Sequence, residues 1–217
     1  MSNTHAEPAQ LEKAAVTSQP IHTLLADRWS PRAYQEGRAV EREKIIAVLE
    51  AARWAPSGGN SQTWRFIVWD RHEDEAAFQQ AFETLGDQNK IWVKRAPVLI
   101  GVFSWPFRES GEPAPSAAYD AGAAALALSL QAEALGLSTH QMGGFDKAAL
   151  KASLQLPEEL IPHTIIGLGY RAHHDVLHEK ARLRELLLRE RKPLEETVFF
   201  NHWPEQHSQP QSEKQEG

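Results

Sequence analysis

Two arginines with a serine between them form the first group of residues suited to bind a ligand. Arg28, Ser30 and Arg32 alternate along a segment in which Pro31 disfavours helix. Because residues two apart in an extended chain point the same way, two guanidinium groups and a hydroxyl converge on one side. Arginine makes bidentate, charge-assisted hydrogen bonds to phosphate, so the pattern indicates a cradle for a phosphate dianion. A solvated basic loop is the alternative that these residues alone leave open.

A glycine-rich polar loop, PSGGNSQ, follows at Pro56–Gln62. Its two glycines permit a ligand to approach the backbone closely. Ser57, Asn60 and Gln62 supply hydrogen-bond donors and acceptors but no titratable group. This chemistry suits a flat polar ligand, such as the edge of an isoalloxazine ring, better than acid–base catalysis. An ordinary turn between a helix and a strand is the other interpretation.

Two later segments carry groups that could bind the same ligand. Gly143 and Gly144 precede a helix that Asp146 is expected to cap, so their N–H groups could face a cofactor or simply form a tight turn. The segment Arg189–Pro193, RERKP, is a second basic cluster that could complete a phosphate site. By itself it is equally typical of a solvated helix end, where cations complement the helix dipole.

The sequence excludes several classes of chemistry. It contains no cysteine, so disulfides, thiolate catalysis and cysteine metal sites are unavailable. It has no G-x-G-x-x-G dinucleotide fingerprint, Walker A, H-E-x-x-H or G-x-S-x-G motif. The net charge of −6 argues against nucleic acid as a partner.

Metal binding and membrane insertion are also not expected. His173 and His174 precede Asp175, but adjacent histidines in a loop without a second pair are typical of polar surface, so we predict no metal site. The polar N-terminus has no apolar signal region, and no apolar stretch is long enough to span a bilayer. We therefore expect a cytoplasmic protein without a membrane partner.

Helical and strand patterns mix along the chain without a regular β-α-β alternation, which favours an α+β fold. One domain is predicted at 18–203, between polar tails at 1–17 and 204–217 that are expected to be disordered. Helices are predicted at 19–27 with Ser18 as the cap, at Glu41–Trp54, Glu73–Leu85 and Tyr119–Leu137, from Asp146 to Leu154, and at Asp175–Glu190; strands are predicted at Trp64–Asp70, Ala96–Phe103, His163–Tyr170 and Val198–Trp203.

Taken in order, these segments resemble the FMN-dependent nitroreductase family. Arg28–Tyr34, RWSPRAY, resembles the family signature R-x-S-x-R-x-[FY], and Ala51–Phe66, AARWAPSGGNSQTWRF, resembles its block A-x-x-A-P-S-x-x-N-x-Q-x-W-x-F. APSGGNSQTW is the most specific part of a resemblance that covers roughly Ile21–Trp203. Weaker pieces follow in the family's order: Ala96-Pro97, Ala134–Leu137, Gly167–Tyr170 and Arg191–Glu196.

The resemblance implies a nitroreductase-like α+β fold, with a central, mostly antiparallel sheet flanked by helices. It also implies an intertwined homodimer with two FMN sites at the interface. By this likeness the first signature contacts FMN, the PSGGNSQ loop reaches it from the other subunit, Asn89 lies near the ring, and the Met142–Gly144 segment lies under the ring with a backbone N–H near N5. The implied FMN contacts are Arg28, Trp29, Ser30 and Arg32, then Pro56, Ser57, Gly58, Asn60 and Asn89, then Met142, Gly143 and Gly144, with Arg191 and Lys192 closing on the phosphate.

The activity implied by the resemblance is a ping-pong transfer of hydride from NADH or NADPH, through FMN, to an electron-poor nitroaromatic, quinone or enone. The flavin N5 carries this chemistry, so no catalytic side chain is expected. Dehalogenation, flavin destruction, non-catalytic flavin storage or sensing, and an interaction module without cofactor are the alternatives. The chain departs from many relatives at Arg171–Glu190, a long helical pattern that could cover or shape the substrate pocket. This departure leaves open which of Arg189, Arg191 and Lys192 meets the phosphate.

Overall fold

Four antiparallel strands form the sheet at the centre of the computed structural model, which describes residues 13–204. They are β1 (Trp64–Asp70), β2 (Val98–Ser104), β3 (Ser138–Met142) and β4 (Ile161–Gly169). Their order in space is β1-β2-β4-β3, so β2 and β4 are central and the other two are edges. The predicted α+β fold with an antiparallel sheet is confirmed.

Helices cover both faces of this sheet. They are α1 (Thr23–Asp27), α2 (Arg42–Arg53), α3 (Glu75–Glu83), α4 (Asp87–Val93), α5 (Ala117–Ala134), α6 (Lys147–Ser153) and α7 (Glu179–Leu186), with short 3-10 turns at Gly58–Asn60, His174–Val176 and Leu194–Glu196. Within the described residues, no helix is both long and apolar enough to cross a membrane.

The sheet has a hydrophobic core on each face. Every residue of β2 is buried, and its side chains alternate between the two cores. Leu99 and Phe103 join a core that includes side chains of α3, α4 and α6, whereas Ile100 and Val102 join one built with α2 and α5. A strand buried on both faces explains the continuous apolar run in this part of the sequence.

A glycine in the left-handed conformation terminates the long helix α5. Gly136 has a φ of +71°, its N–H donates to Glu133 O at 3.0 Å, and Leu137 N–H donates to Ala132 O at 2.9 Å. This is a Schellman motif, in which a left-handed residue allows the last carbonyls of the helix to be paired. The helix predicted at Tyr119–Leu137 therefore stops at Ala134, which frees the following residues to form β3.

Several sequence predictions about local structure are wrong. The first helix begins at Thr23 and is capped by the His22 ring rather than by Ser18. Val198–Trp203 is not a strand, because a 3-10 turn at Leu194–Glu196 is followed by bends, and the ring of Phe199 packs edge-on against Trp203. The sequence patterns also missed β3 and α4 altogether.

The segment predicted as one helix over Asp175–Glu190 is divided. A 3-10 turn at His174–Val176 comes first, α7 follows, and the chain becomes extended at Leu187. Ala181 and Glu185 are the buried residues of α7, so this helix packs on the domain along one face.

The predicted tails fall mostly outside the described residues, which exclude 1–12 and 205–217. Residues 13–17, the remainder of the N-terminal tail, include an N–H of Ala15 that donates to Ala26 O at 2.8 Å. Lys13 Nζ also donates to Leu187 O at 2.7 Å. This part of the segment therefore contacts both α1 and the chain after α7.

Candidate cofactor-binding site

The first signature is anchored to the end of β4 by a buried tyrosine. Tyr34 is fully buried, and its hydroxyl donates to Gly167 O at 3.0 Å. A side chain at Gly169 would bring a Cβ within 3.0 Å of the Tyr34 ring and 2.7 Å of Pro97. The glycines of Gly167–Tyr170 therefore let the tyrosine pack closely on the strand, and this fixes the chain just after the Arg28–Arg32 segment.

A neutral histidine on β3 binds the backbone of the same segment. His140 Nδ1 lies 3.1 Å from Pro31 O, and its ring lies 4.4 Å from that of Trp92. Burial and then the neighbouring Arg32 lower the pKa of His140 to about 4. Because a carbonyl oxygen only accepts, Nδ1 carries the proton and donates it to Pro31.

Arg28 is a cation without a partner. Its side chain is half-buried, and the guanidinium makes no hydrogen bond or ion pair with any residue in the described range, although the backbone N–H donates to Leu24 O at 3.3 Å. Burial, followed by the charge of Arg189, lowers its pKa, with Glu133 opposing and Arg191 adding to the effect. An arginine nevertheless stays charged, so this pocket of converging positive charge favours an anion.

Trp29 and Ser30 lie beside these cations. The indole of Trp29 is buried, and its Nε1 has no hydrogen-bond partner among residues 13–204. Lys13 Nζ lies 4.4 Å from the ring, and the guanidinium of Arg171 lies 5.3 Å from it. Ser30 is half-buried. The buried N–H of Trp29 and the partly exposed hydroxyl of Ser30 therefore follow the unpaired guanidinium of Arg28 in the sequence.

Arg32 is held by a buried carboxylate on α7. Glu185 is 1% exposed and accepts the backbone N–H of Arg32 at 3.0 and 2.9 Å and that of Ala33 at 3.3 Å. The Arg32 guanidinium lies 3.8 Å from the same carboxylate. Burial raises the pKa of Glu185, while the two N–H donors and Arg32 act in the opposite direction. The contact fixes the backbone of the signature and leaves the guanidinium partly exposed.

The PSGGNSQ loop is organised by a buried aspartate on α5. Asp120 Oδ2 accepts Gly58 N–H at 2.8 Å and the hydroxyls of Ser57 and Ser116, each at 3.2 Å. Gly58 has no room for a side chain, because a Cβ there would lie 2.4 Å from Ser116 Oγ. Pro56 begins the loop, three residues after the end of α2. The loop is therefore fixed at the N-terminal end of α5.

The rest of this loop has an unusual backbone. Gly59, Asn60 and Gln62 have φ values of 58°, 54° and 46°, a region that is uncommon for residues other than glycine. Asn60 and Gln62 border a cavity of about 660 Å3 that also includes Arg65 and Arg108. Polar groups and cations of the loop thus face an open space.

Asn89 and the double glycine meet at the end of β3. Asn89 Nδ2 donates to Gly144 O at 3.0 Å. Gly143 and Gly144 are exposed, and their N–H groups donate no hydrogen bond to any residue of the described chain. Met142 is buried in the core, and its carbonyl accepts the Thr164 hydroxyl at 3.0 Å. Free N–H groups on a fixed turn are available to a ligand.

The C-terminal basic cluster is divided among different contacts. Arg189 Nη1 donates to Lys13 O at 2.6 Å and also to Ala26 O. Lys192 lies 3.6 Å from Glu196 and is exposed. Among the described residues, Arg191 Nη1 donates to the carbonyl of its neighbour Glu190, at 2.7 Å, and to no other group. Its charge acts on Arg28 after that of Arg189. Arg191 is therefore an exposed cation of the cluster without a side-chain partner in this range.

Within one chain the predicted residues form two groups. Arg32 and Asn89 line one cleft, and Gly144 is bonded to Asn89. The PSGGNSQ loop, by contrast, makes no hydrogen bond or ion pair with Arg28–Arg32 in the described structure. Its partners are at the beginning of α5, at Arg65 on β1 and in the loop itself.

Sequence reasoning missed three residues that support this site: His140, Asp120 and Glu185. Asp120 had a usable signal, since it is the one acid in the alanine-rich stretch AAYDAGAA. His140 and Glu185 meet partners that are 109 and 153 residues away in the chain, so no local pattern marks them.

The candidate metal ligands lie apart from these residues. Ligand atoms of His173, His174 and Asp175 fall within 4.8 Å of one another. The Asp175 carboxylate is also 3.0 Å from His173 Nδ1 and 3.8 Å from Arg182. The arginine competes with a cation for this carboxylate.

Comparison with known proteins identifies the family. Residues 25–170 match the profile of the Nitroreductase family. A protein of Archaeoglobus fulgidus, provisionally named an NADH dehydrogenase/NAD(P)H nitroreductase, is 31% identical over 151 residues, covering 68% of this chain and 83% of that protein. These similarities define the chain as an oxidoreductase. It belongs to the Nitroreductase family.

Solved structures share the fold along almost the whole chain. A crystal structure described as an oxidoreductase containing FMN superposes with a TM-score of 0.81 at 30% identity, covering 94% of this chain and 99% of that one. A provisionally named nitroreductase from Desulfovibrio desulfuricans in complex with FMN gives a TM-score of 0.67 at 28% identity, covering 87% and 100%.

The residues of this chain fit FMN as a ligand. The unpaired Arg28 guanidinium matches a phosphate. The unpartnered Trp29 Nε1 and the free N–H groups of Gly143 and Gly144 match the polar acceptors of a ribityl chain and a flavin ring. The site offers donors and positive charge, as an anionic cofactor requires.

Proposed function

We propose that the chain is an FMN-dependent oxidoreductase that accepts hydride from NADH or NADPH and reduces an electron-poor nitroaromatic, quinone or enone in a ping-pong sequence. The unpaired, half-buried Arg28 carries this proposal, because it needs an anion exactly where the family signature lies. The FMN of two structural relatives supports the assignment of the cofactor. When bound, FMN supplies the redox chemistry by accepting a hydride and passing the electrons on.

The role of the protein is to bind and orient. We assign the phosphate to Arg28 and Arg191, two guanidinium groups without an ion-pair partner among the described residues, with Arg189 adding positive charge. Arg32 and Asn89 line the cleft in which polar side chains would form hydrogen bonds to the flavin ring. The free N–H groups of Gly143 and Gly144 would stabilise negative charge on the reduced cofactor, as fixed backbone donors do elsewhere.

We also propose that the active form is a homodimer. The outward face of α5 is apolar and open: Tyr119 is 81% and Leu126 46% exposed, and nothing lies within 4 Å of a Cβ placed on Gly122. Trp54, the residue that follows α2, is 77% exposed. Large exposed apolar side chains of this kind are typical of an interface.

Dimerisation would explain why the predicted site residues form two groups. The PSGGNSQ loop is fixed to the beginning of α5 by Asp120, so it lies beside the proposed interface. Pairing of two chains would then bring the loop of one to the Arg28–Arg32 segment of the other. The cytoplasmic location stays a prediction from the sequence.

The first test is an absorption spectrum of the purified protein after incubation with FMN, repeated without oxygen after addition of NADH or NADPH. The proposal predicts flavin bands that bleach with one of the two donors and return when a nitroaromatic or quinone is added. Flavin bands that persist with both donors would favour storage or sensing instead. A protein that retains no FMN would show that the signature does not bind flavin.

A further inference from the structure

A cleft of about 280 Å3 separates α7 from α4. Its walls include Arg32, Asn89 and Ile91 on one side and Lys180, Leu183 and Arg184 on the other. The α7 wall lies beyond residues 25–170, which match the family. This part of the cleft is therefore a feature that the family match does not account for.

The α7 wall carries two cations on one face. Lys180 and Arg184 are four residues apart, so they lie on neighbouring turns of the helix, where like charges are unfavourable. Neither side chain forms a hydrogen bond or an ion pair with another residue in the range 13–204. An anion placed against this face would remove the repulsion.

Arg32 adds a third positive charge from the opposite wall. Burial is the main cause of its lowered pKa, Glu185 opposes the effect, and Arg184 adds to it, so the two guanidinium groups sense each other across the cleft. No carboxylate lines this cleft in the described structure. Glu185, which follows Arg184 on α7, is buried and already accepts two backbone N–H groups.

We propose that the electron acceptor admitted by this cleft is a nitroaromatic, quinone or enone that also carries a carboxylate, with the carboxylate held by Lys180 and Arg184. The inference rests on the proposed function, since it names the class of acceptor for the same site. Ile91 and Leu183 supply apolar surface for a ring. Arg32 and Asn89, on the opposite wall, are the residues assigned to the flavin ring, so the acceptor would lie between that ring and α7.

Equilibrium binding tests the charge preference directly. Benzoate and its neutral counterpart benzamide are titrated by calorimetry into FMN-saturated protein at constant ionic strength. We expect benzoate to bind about tenfold more tightly, as one or two accessible ion pairs provide. In the double variant Lys180→Gln/Arg184→Gln this preference disappears, and in Lys180→Arg/Arg184→Lys, which keeps both charges, it remains.

The matched control is Arg182→Gln on the same helix. Arg182 does not line the cleft and lies 3.8 Å from Asp175, so its loss removes one charge from α7 without changing the cleft. We expect the benzoate preference to persist in this variant. Equal binding of benzoate and benzamide to the wild-type protein, or an equal effect of Arg182→Gln, would overturn the proposal.

Turnover gives a second readout. The ratio of kcat/KM for 4-nitrobenzoate to that for 4-nitrobenzamide is expected to fall about tenfold in Lys180→Gln/Arg184→Gln. If the flavin bleaches with NADH but the ratio is the same in the wild-type protein and in Lys180→Gln/Arg184→Gln, this inference is overturned and the proposed function stays intact. Absence of FMN binding would overturn the proposed function itself.

Discussion

The Glu185 carboxylate on α7 accepts the backbone N–H of Arg32 through both oxygens, at 3.0 and 2.9 Å, across 153 residues of sequence. This contact joins a helix outside the family match to the signature proposed to bind FMN. It makes α7 part of the support of the site and not an appended segment.

Loss of this carboxylate is expected to destabilise the domain. Glu185→Ala leaves two buried N–H groups and Arg32 without their acceptor, so the free energy of unfolding should fall by about 2 to 4 kcal/mol. Glu185→Gln keeps one acceptor oxygen and should cost less. Urea unfolding of both variants beside Glu190→Gln, an exposed control, measures the effect. Equal stability of Glu185→Ala and the control would show that the contact contributes nothing.

Asp120 is expected to control the shape of the PSGGNSQ loop. Asp120→Ala removes the acceptor of Gly58 N–H and of two serine hydroxyls. Because hydrogen bonds to a charged group contribute about 1.5 to 3 kcal/mol, we expect FMN affinity to fall at least about tenfold. A titration followed by flavin fluorescence, with the exposed Glu159→Gln as control, checks this. Unchanged affinity would mean that the loop does not depend on Asp120 for binding.

Stability should decrease in acid because of His140. Its pKa is about 4 in the folded protein, below the ordinary value of 6.5, so the unfolded chain takes up the proton first. The free energy of unfolding is therefore greatest above pH 6.5 and falls as the pH drops from 6.5 to 4, by about 3 kcal/mol. Urea unfolding at pH 7 and 4.5 measures the fall, which should be smaller in His140→Phe. The same fall in both proteins would assign it to other groups.

The dimer prediction is testable at Leu126. A charge on the exposed face of α5 should oppose association, so Leu126→Glu is expected to shift the protein to monomer and to weaken FMN binding, since each site would lack the second chain's loop. Ile161→Glu places the same charge on a residue that is 41% exposed elsewhere and serves as control. Light scattering gives the mass. A monomeric wild-type protein that binds FMN tightly would contradict the interface.

Much of the fold follows from apolar periodicity. The pattern predicted β1 with its observed bounds, and it predicted α2 to within a residue at each end. It missed β3 because Ser138–Met142, STHQM, is short and mostly polar, and strand formation depends there on pairing with β4. Helix α4 has seven residues, too few for a helical period to be recognised.

The sequence singled out candidate site residues where the spacing itself suggests the chemistry. Arg28 and Arg32 stand out because alternation in an extended segment predicts that they point to one side. The buried partners of the segment, His140 and Glu185, could not be found in this way. A histidine or a glutamate acquires such a role only when the fold brings it to a distant backbone group.

Titration of FMN into wild-type protein and Arg28→Gln, followed by flavin fluorescence, tests the central claim most directly. Arg42→Gln, an exposed arginine at the beginning of α2, is the matched control. The account predicts a loss of FMN affinity of about tenfold or more in Arg28→Gln, because a charge-assisted phosphate contact is removed, and no loss in the control. Equal FMN affinity in all three proteins would show that the unpaired guanidinium of Arg28 does not hold the cofactor.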